Sequence, residues 1–159
     1  MKARLAASVA LALGIALAGT GCSMITYQAT TERYDASDGV SADVGDLAIR
    51  NILVVSDDGE SGNLLMTVVN RGGDDVELSV QYADGGTTEI VPIEGGSTVV
   101  FGTGDVETEE QIEPYLLSGI DTDPGSLMPI YLQYGGEPGV QVQAPVLDGG
   151  LPEYAEYVP

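Results

Sequence analysis

The sequence predicts an all-β protein, an antiparallel β-sandwich of seven or eight strands of immunoglobulin-like or cupredoxin-like type. Three observations predict this fold class. After Gly39 the apolar residues recur with period two, which is the spacing of a half-buried strand. Glycine, present 22 times, and aspartate interrupt these runs at turn-length intervals. Helical periodicity is nearly absent from the same region, and roughly 120 residues suit one domain with one core.

Residues 1–21 are predicted to be an export signal and to lie outside the fold. Lys2 and Arg4 supply the positive start, residues 5–18 an uncharged apolar run, and Gly19-Thr20-Gly21 a small-residue cleavage site. The apolar run is shorter than the roughly 20 residues that a membrane-spanning helix needs. We therefore expect a mature chain without a membrane helix.

Cys22 directly follows a small residue at the end of the apolar run, as in the bacterial lipobox. Gly19 stands where that pattern usually carries Leu, and relaxed versions of the pattern accept glycine there. The alternative is a free or disulfide-forming thiol, but a single cysteine has no partner within the chain. We predict an acylated Cys22 at the outer face of the cytoplasmic membrane, because two or more acyl chains give durable anchoring.

The chain is strongly acidic, with 25 Asp and Glu against 5 Lys and Arg. Removing residues 1–21 takes away Lys2 and Arg4 but no acid, which leaves three arginines and a formal charge of −22. Such a surface repels phosphate backbones, so we predict no nucleic-acid partner. The absence of His and, after processing, of Lys excludes histidine catalysis and Schiff-base chemistry.

Three segments are predicted after the signal. Residues 22–39 are rich in Thr, Ser, Asp and Ala without periodicity, which is typical of a tether. The β-sandwich domain is predicted over residues 40–147. Residues 148–159 contain Pro and Tyr and no alternation, so they are predicted to form an extended C-terminal tail.

The first strand is predicted from the alternation of Val40, Ala42 and Val44. Residues 47–55 form the second predicted strand, and apolar residues on both of its faces indicate a central position. In simple alternation, one face carries Leu47, Ile49, Leu53 and Val55, and the other carries Ile52 and Val54.

Three hairpins are predicted in the rest of the domain. The first joins residues 64–69 to 76–82 across the turn 70–74, and the second joins 88–93 to 98–101 across 94–96. The third joins residues 127–134 to 140–146, with Pro129 near a strand start or edge because it cannot donate to a ladder. In residues 102–126 the pattern allows one helical turn at 108–111, and Pro114 excludes a long helix.

Several strand and turn motifs together resemble those of a known group. They are Asp38-Gly39-Val40, the strand 50–56, the turn Val69-Asn70-Arg71-Gly72 and the closing segment 143–147. With the signal and Cys22, they resemble small actinobacterial envelope lipoproteins, including the mycobacterial LpqE type. That group looks distantly similar to the periplasmic copper chaperones of the PCu(A)C type, which share a cupredoxin-like sandwich. The resemblance implies a β-sandwich in the cell envelope.

Those chaperones hold Cu(I) through His and Met, because imidazole and thioether ligands suit that ion. This chain has no His, and the methionines that follow the signal are Met24, Met66 and Met128. Met66 and Met128 lie in apolar strands, where methionine is expected to fill gaps in a core. No copper ligand and no cofactor are therefore predicted.

Two turns are rich in carboxylates, Asp57-Asp58-Gly59-Glu60 and Asp121-Thr122-Asp123. Neither has the spacing of the calcium-binding loop, D-x-[DN]-x-[DN]-G. Ca²⁺ needs about six or more converging oxygens, so these acids are predicted to be solvated turn residues. No metal ligand is assigned to them.

No catalytic set is recognisable in the sequence. The chain lacks a G-x-S-x-G elbow, a phosphate-binding glycine loop and a Cys/His pair. Residues 101–104 and Glu113-Pro114-Tyr115 faintly echo methyltransferase motifs, but no strands alternate with helices around them. We therefore predict that the protein is not an enzyme.

Tyrosine is common towards the C-terminus, and two interpretations of it remain open. The residues are Tyr115, Tyr131, Tyr134, Tyr154 and Tyr157. They either cap sheet ends and pin the tail, or form a face for a partner.

Taken together, these features predict a non-enzymatic, lipid-anchored cell-envelope protein whose β-sandwich serves protein contacts or envelope assembly. Its expected partners are the membrane, through Cys22, and another envelope protein. The alternative is a divergent metal-handling protein, either a relative of the copper chaperones or a weak Ca²⁺ binder.

Overall fold

The computed structural model describes residues 2–19, 34–83, 86–102 and 110–159. The chain divides into two compact units, Met1–Tyr34 and Asp35–Pro159. Cys22, the predicted lipidation site, lies outside the described residues, as does most of the predicted tether. Lipid attachment therefore stays a prediction.

The first unit contains one described helix, α1, Lys2–Gly19. Four of its apolar side chains are exposed, those of Leu5, Val9, Leu11 and Leu13. In the part of the chain that the structure describes, no helix combines the length and apolarity needed to cross a membrane.

The second unit is built from β-strands, which confirms the predicted all-β sandwich class. The described residues form ten strands, and the two beyond the predicted number, β7 and β8, are short and lie in the stretch 102–126. The strands are β1 Val40–Val44, β2 Leu47–Val55, β3 Ser61–Asn70, β4 Val76–Tyr82, β5 Thr87–Ile93, β6 Thr98–Phe101, β7 Glu110–Ile112, β8 Tyr115–Ser118, β9 Leu127–Tyr134 and β10 Val140–Leu147.

The strands form two sheets around one core. Sheet A contains β1, β2, β3, β6, β7 and β8, and sheet B has the order β5-β4-β9-β10. The end of β10 leaves sheet B and pairs in parallel with β2, Val146 opposite Val54 and Leu147 opposite Val55. This pair joins the sheets into one curled structure. β6 and β7 are also parallel, so the sheet is mixed where the sequence predicts antiparallel pairing.

The core lies between the two sheets and is made by the inward residues of each strand. In β4 these are Val76, Leu78, Val80 and Tyr82, and the last three are at most 2 % exposed. Burying an apolar side chain of this size stabilises the fold by roughly 1.5–3 kcal/mol. The alternation of this strand therefore places one face on the core, as predicted. On the other face Glu77 is exposed, whereas Ser79 is buried.

The predicted faces of β2 are wrong beyond Arg50. Asn51 has a positive φ of 52°, and the pairing of β2 with β3 shifts between Arg50 and Leu53. This bulge inserts a residue and reverses the alternation. As a result the main core receives Leu47, Ile49, Ile52 and Val54, whereas Leu53 and Val55 belong to a second cluster.

The first two predicted hairpins are wrong, because the chain changes sheets at both turns. β3 pairs with β2, β6 and β8, whereas β4 pairs with β5 and β9. Strands adjacent in the sequence form antiparallel pairs at β1–β2, β2–β3, β4–β5 and β9–β10. Period-two alternation is the same in either sheet, so it does not reveal which strands pair. The third predicted hairpin, β9–β10, is confirmed, and Pro129 lies near the start of β9.

Asn70 connects the two segments in which the chain passes from one sheet to the other, residues 71–75 and 94–97, which we call the sheet crossings. Its side chain is buried and its amide donates to the carbonyl oxygens of Asp74, at 2.9 Å, and Glu94, at 3.1 Å. Its Oδ1 accepts from the Gly72 N–H at 2.9 Å. One polar side chain thus satisfies backbone groups of both crossings.

The C-terminal segment, residues 148–159, is folded against sheet A and is not the extended tail that the sequence predicts. It forms turns and a short 3-10 helix, Ala155–Tyr157. Tyr154 packs on Leu53, Val55 and Leu65, which are apolar residues on the outer face of sheet A. The Tyr154 hydroxyl donates to Asp38 Oδ2 at 2.7 Å, so the segment also holds the start of the domain.

Candidate functional site

The outer face of sheet B is the most distinctive surface of the domain. Its side chains alternate with the core residues and point away from them. Among them Glu77 alone is charged. We call this surface the neutral face, and it consists of Glu77, Ser79 and Gln81 of β4; Thr88, Ile90 and Pro92 of β5; Leu127, Pro129, Tyr131 and Gln133 of β9; and Gln141, Gln143 and Pro145 of β10.

The strand register places polar side chains in a row across the neutral face. Tyr131 pairs with Gln81 on one side and with Gln141 on the other. Thr88 pairs with Gln81 and extends the row onto β5. Directly paired residues of neighbouring strands lie close enough to act on one ligand together.

The ring of Tyr131 lies against Gly139, the residue before β10. A Cβ atom at Gly139 would overlap Cζ and Oη of Tyr131, so only glycine leaves room for the ring there. Tyr131 is 38 % exposed, and its ring is therefore accessible.

Apolar side chains are exposed on the same face. Ile90 is 48 % exposed and Leu127 is 60 % exposed.

A groove of about 790 Å³ adjoins the neutral face at Glu77 and Pro92, and its other walls include Asp75, Glu94 and Tyr134. Exposed apolar and aromatic residues among neutral polar ones are typical of contact surfaces.

The two predicted acidic turns come together at one end of the domain. The Thr122 N–H donates to the Gly59 carbonyl at 3.0 Å, and the Gly119 N–H donates to the Glu60 carbonyl at 2.7 Å. Even so, within the described ranges no three acidic, His or Cys side chains converge so as to hold a metal ion.

Asp58 shows how such a turn acid is used. Its Oδ1 accepts from the N–H groups of Ser61, at 3.0 Å, and Glu60, at 2.8 Å. These backbone hydrogen bonds, with a further one from the Ser56 hydroxyl, lower the pKa of Asp58. The carboxylate therefore stabilises the turn.

Two arginines bind one carboxylate beside β1. Arg50 donates to Asp43 Oδ1 at 2.9 Å, and Arg71 donates to the same oxygen at 2.6 Å. The Arg50 hydrogen bond is the largest cause of the lowered pKa of Asp43. All three side chains are about half exposed, so these ion pairs add little stability. Both arginines are used by Asp43 and do not neutralise other acidic side chains among the described residues.

The predicted tyrosine cluster is dispersed over the domain. Tyr115 packs edge-on against Phe101, and its hydroxyl donates to Glu89 Oε2 at 3.3 Å. The Tyr134 hydroxyl accepts from the Asp46 N–H at 2.9 Å, and Tyr154 pins the C-terminal segment. Capping and pinning therefore account for these three tyrosines, and Tyr131 is the member of the cluster on the neutral face.

Comparison with known proteins gives a fold likeness only. No family model matches the chain, and no curated protein matches it. The copper-bound PCuAC domain from PmoF2 is similar with a TM-score of 0.50 at 17 % identity, over 69 % of this chain and 98 % of that one. The apo PmoF2 PCuAC domain is similar with a TM-score of 0.51 at 16 % identity, over 70 % and 98 %.

The described domain has the fold of a PCuAC domain. This agrees with the cupredoxin-like sandwich that the sequence resemblance implies, while identities this low establish the fold alone. The likeness to LpqE-type lipoproteins is not addressed by these structures.

The side chains of this domain do not fit a Cu(I) site. Cu(I) prefers imidazole and thioether ligands, and the chain contains no His. Met66 and Met128 are 2 % and 1 % exposed and pack in the core, as the sequence predicts. Met24 lies outside the described residues.

The sequence did not reveal the neutral face. Alternation predicted that Ser79 and Gln81 lie on the face opposite the core, but not which strands lie beside them. The available signal was that, apart from Glu77, the outward positions of strands 76–82, 127–134 and 140–146 carry no charge in an acid-rich chain.

Proposed function

We propose that this chain is a non-enzymatic, lipid-anchored protein of the cell envelope, held at the outer face of the cytoplasmic membrane through Cys22. Its β-sandwich serves protein contacts or envelope assembly. The neutral face is the contact surface in this proposal, and it is the observation that carries it.

The two outer faces of the sandwich differ in a way that supports this proposal. The outer face of sheet A is partly covered by the chain's own C-terminal segment, through Tyr154 on Leu53, Val55 and Leu65. The neutral face has no such cover within the described residues and exposes Tyr131. The neutral face on sheet B is therefore the outer face that is open to a binding partner.

Anchoring rests on the first 22 residues. A positive start, an apolar run and a small residue before Cys22 have the order of a lipoprotein signal. The variant Cys22→Ser should move the protein from the membrane fraction to the soluble fraction. Ser23→Ala, the matched control, should stay in the membrane fraction. Retention of Cys22→Ser in the membrane would contradict anchoring at this residue.

The contact surface is tested with an anchor-free chain that begins at Ser23. Every core residue lies between residues 42 and 154, within the second compact unit, so this chain keeps its whole core. It should sediment with isolated cell envelopes. The double variant Gln81→Glu and Gln141→Glu places charges beside Tyr131 and should abolish this binding.

Ser118→Glu is the matched control for that experiment, because Ser118 is exposed on β8 in sheet A. It adds one negative charge, half of what the double variant adds, away from the neutral face and should bind as the unmodified chain does. Equal binding by the double variant and the control would show that the neutral face is not the contact surface.

Metal handling is a second candidate function, and the fold likeness to a copper-bound PCuAC domain favours it. The missing imidazoles oppose it. Calorimetric titration of the chain from Ser23 with Cu(I) and with Ca²⁺ separates the candidates. Stoichiometric submicromolar binding of either ion would replace the contact proposal by metal handling.

A further inference from the structure

We propose that the neutral face binds an uncharged polysaccharide of the cell envelope, with Tyr131 as the platform for a sugar ring. This inference rests on the proposed envelope function and names the partner of the same face. Three properties of the face support it: its low charge, its amide side chains and its exposed aromatic ring.

Apart from Glu77 on the neutral face and Glu89, whose side chain lies on the opposite face of β5, the acids around sheet B lie at its two ends. Asp75, Glu94 and Glu137 lie in turns at one end, and Asp123 and Asp148 lie near the other. These acids would attract a cationic partner to the ends and repel an anionic one. An uncharged ligand is neither attracted nor repelled by these acids. A nearly neutral surface between two acidic ends therefore suits such a ligand.

Amide side chains flank the aromatic ring on both sides. Gln81 and Gln141 stand opposite Tyr131 on the two neighbouring strands, and Gln143 follows two residues after Gln141. A glutamine amide both donates and accepts hydrogen bonds, whereas a carboxylate only accepts. Sugar hydroxyls also do both. The row therefore offers each hydroxyl a partner of either kind.

The Tyr131 ring offers a surface for the C–H face of a sugar. The negative face of an aromatic ring attracts C–H groups, which carry partial positive charge. The ring packs against Gly139, so the side chain has fewer positions to lose when a ligand binds. Four strands about 4.8 Å apart give a row about 14 Å long, which exceeds the length of one sugar ring.

The experiment measures binding of the chain from Ser23 to three soluble neutral polysaccharides, mannan, galactan and dextran. Polygalacturonate serves as an anionic comparator. At least one neutral polysaccharide should bind, and binding should be nearly equal between about 0.05 and 0.5 M salt because no charge pairs form. Polygalacturonate should not bind.

Variants locate the site on the face. Tyr131→Ala should weaken binding about tenfold, whereas Tyr131→Phe, which keeps the ring, should stay within about twofold. Gly139→Val displaces the ring and should weaken binding as Tyr131→Ala does. Leu116→Ala, at a residue 54 % exposed on β8, is the matched control and should bind normally. Circular dichroism verifies that each variant is folded.

Three results would overturn the inference. One is no binding to any of the neutral polysaccharides, and another is equal binding by the unmodified chain and Tyr131→Ala. The third is self-association in sedimentation, lost in Tyr131→Ala, without polysaccharide binding, which would make a second copy the occupant. None of these results changes the expected release of the Cys22→Ser variant from the membrane. The anchoring proposal and the polysaccharide proposal can therefore be contradicted independently of each other.

Discussion

Asn70 is a buried polar residue whose role depends on partners distant in sequence. Its amide and carbonyl contact Gly72, Asp74 and Glu94, which belong to the two sheet crossings. In the sequence it is one residue of a glycine-rich turn. Turn chemistry predicted that the chain bends there, but only the fold brings residue 94 to it.

Replacing Asn70 by Ala should destabilise the domain by about 2–4 kcal/mol, because its buried side chain makes three hydrogen bonds to the backbone of the two crossings. Urea unfolding of the chain from Ser23 measures this change. Asn63→Ala removes one hydrogen bond, to the Tyr157 carbonyl, and should cost only about 1 kcal/mol. Equal losses in the two variants would contradict the role given to Asn70.

Tyr154 should make the domain less stable in alkaline solution. Burial, and then its hydrogen bond to Asp38, raise the pKa of Tyr154 from its ordinary value to about 12. Between about pH 10 and 12 the unfolded tyrosine ionises while the folded one keeps its proton. The unfolded state then holds fewer protons, so stability is complete below pH 10 and falls by at most roughly 2.7 kcal/mol as pH rises.

Tyr154→Phe tests this assignment, because phenylalanine keeps the ring and cannot ionise. Its unfolding free energy should decline less steeply above about pH 10 than that of the unmodified chain. The remaining decline comes from other tyrosines such as Tyr115, whose pKa burial also raises. Identical alkaline curves for both proteins would show that Tyr154 does not titrate in this way.

At the scale of elements, alternation predicted most strands but few of their partners. β4 and β9 are both clear in the sequence, yet nothing local shows that they pair. Pairing depends on where the chain crosses between sheets, and the bulge at Asn51 depends on a positive φ that asparagine tolerates. The neutral face was equally hidden, since it is assembled from four strands whose order the sequence does not state.

The C-terminal segment should stabilise the domain although it contains no long helix or strand. Deleting residues 148–159 exposes Leu53, Val55 and Leu65 and removes the Tyr154 anchor. We expect a loss of about 2–4 kcal/mol in urea unfolding, with increased binding of a hydrophobic dye. Deleting the exposed Pro159 alone is the control. An undiminished stability after the longer deletion would contradict this role for the segment.

At the scale of the whole molecule, charge opposes compactness. Residues 23–159 carry a formal charge of −22, and two of their arginines pair with Asp43. Repulsion among the remaining acids is screened by salt. The melting temperature of the chain from Ser23 should therefore rise by several degrees between about 0.05 and 0.5 M NaCl. A melting temperature that falls over this range would contradict net repulsion.

In the proposed function, an anchored sandwich meets its partner through sheet B. The strands of the sandwich are largely those that the sequence predicts, whereas the proposed anchor rests on residues 1–22 alone. Fold likeness to PCuAC domains carries no activity with it, because one sandwich scaffold supports unrelated functions. The decisive observation is therefore one made at the face itself, in the cell.

That measurement is photo-crosslinking in intact cells, with a photoreactive amino acid placed at Gln81 or Gln141 on the neutral face and at Ser118 as the control. The proposed contact surface predicts a discrete adduct of increased mass from positions 81 and 141 and none from position 118. Adducts from position 118 alone, or none from either position on sheet B, would contradict the claim that this face is where the protein meets its partner.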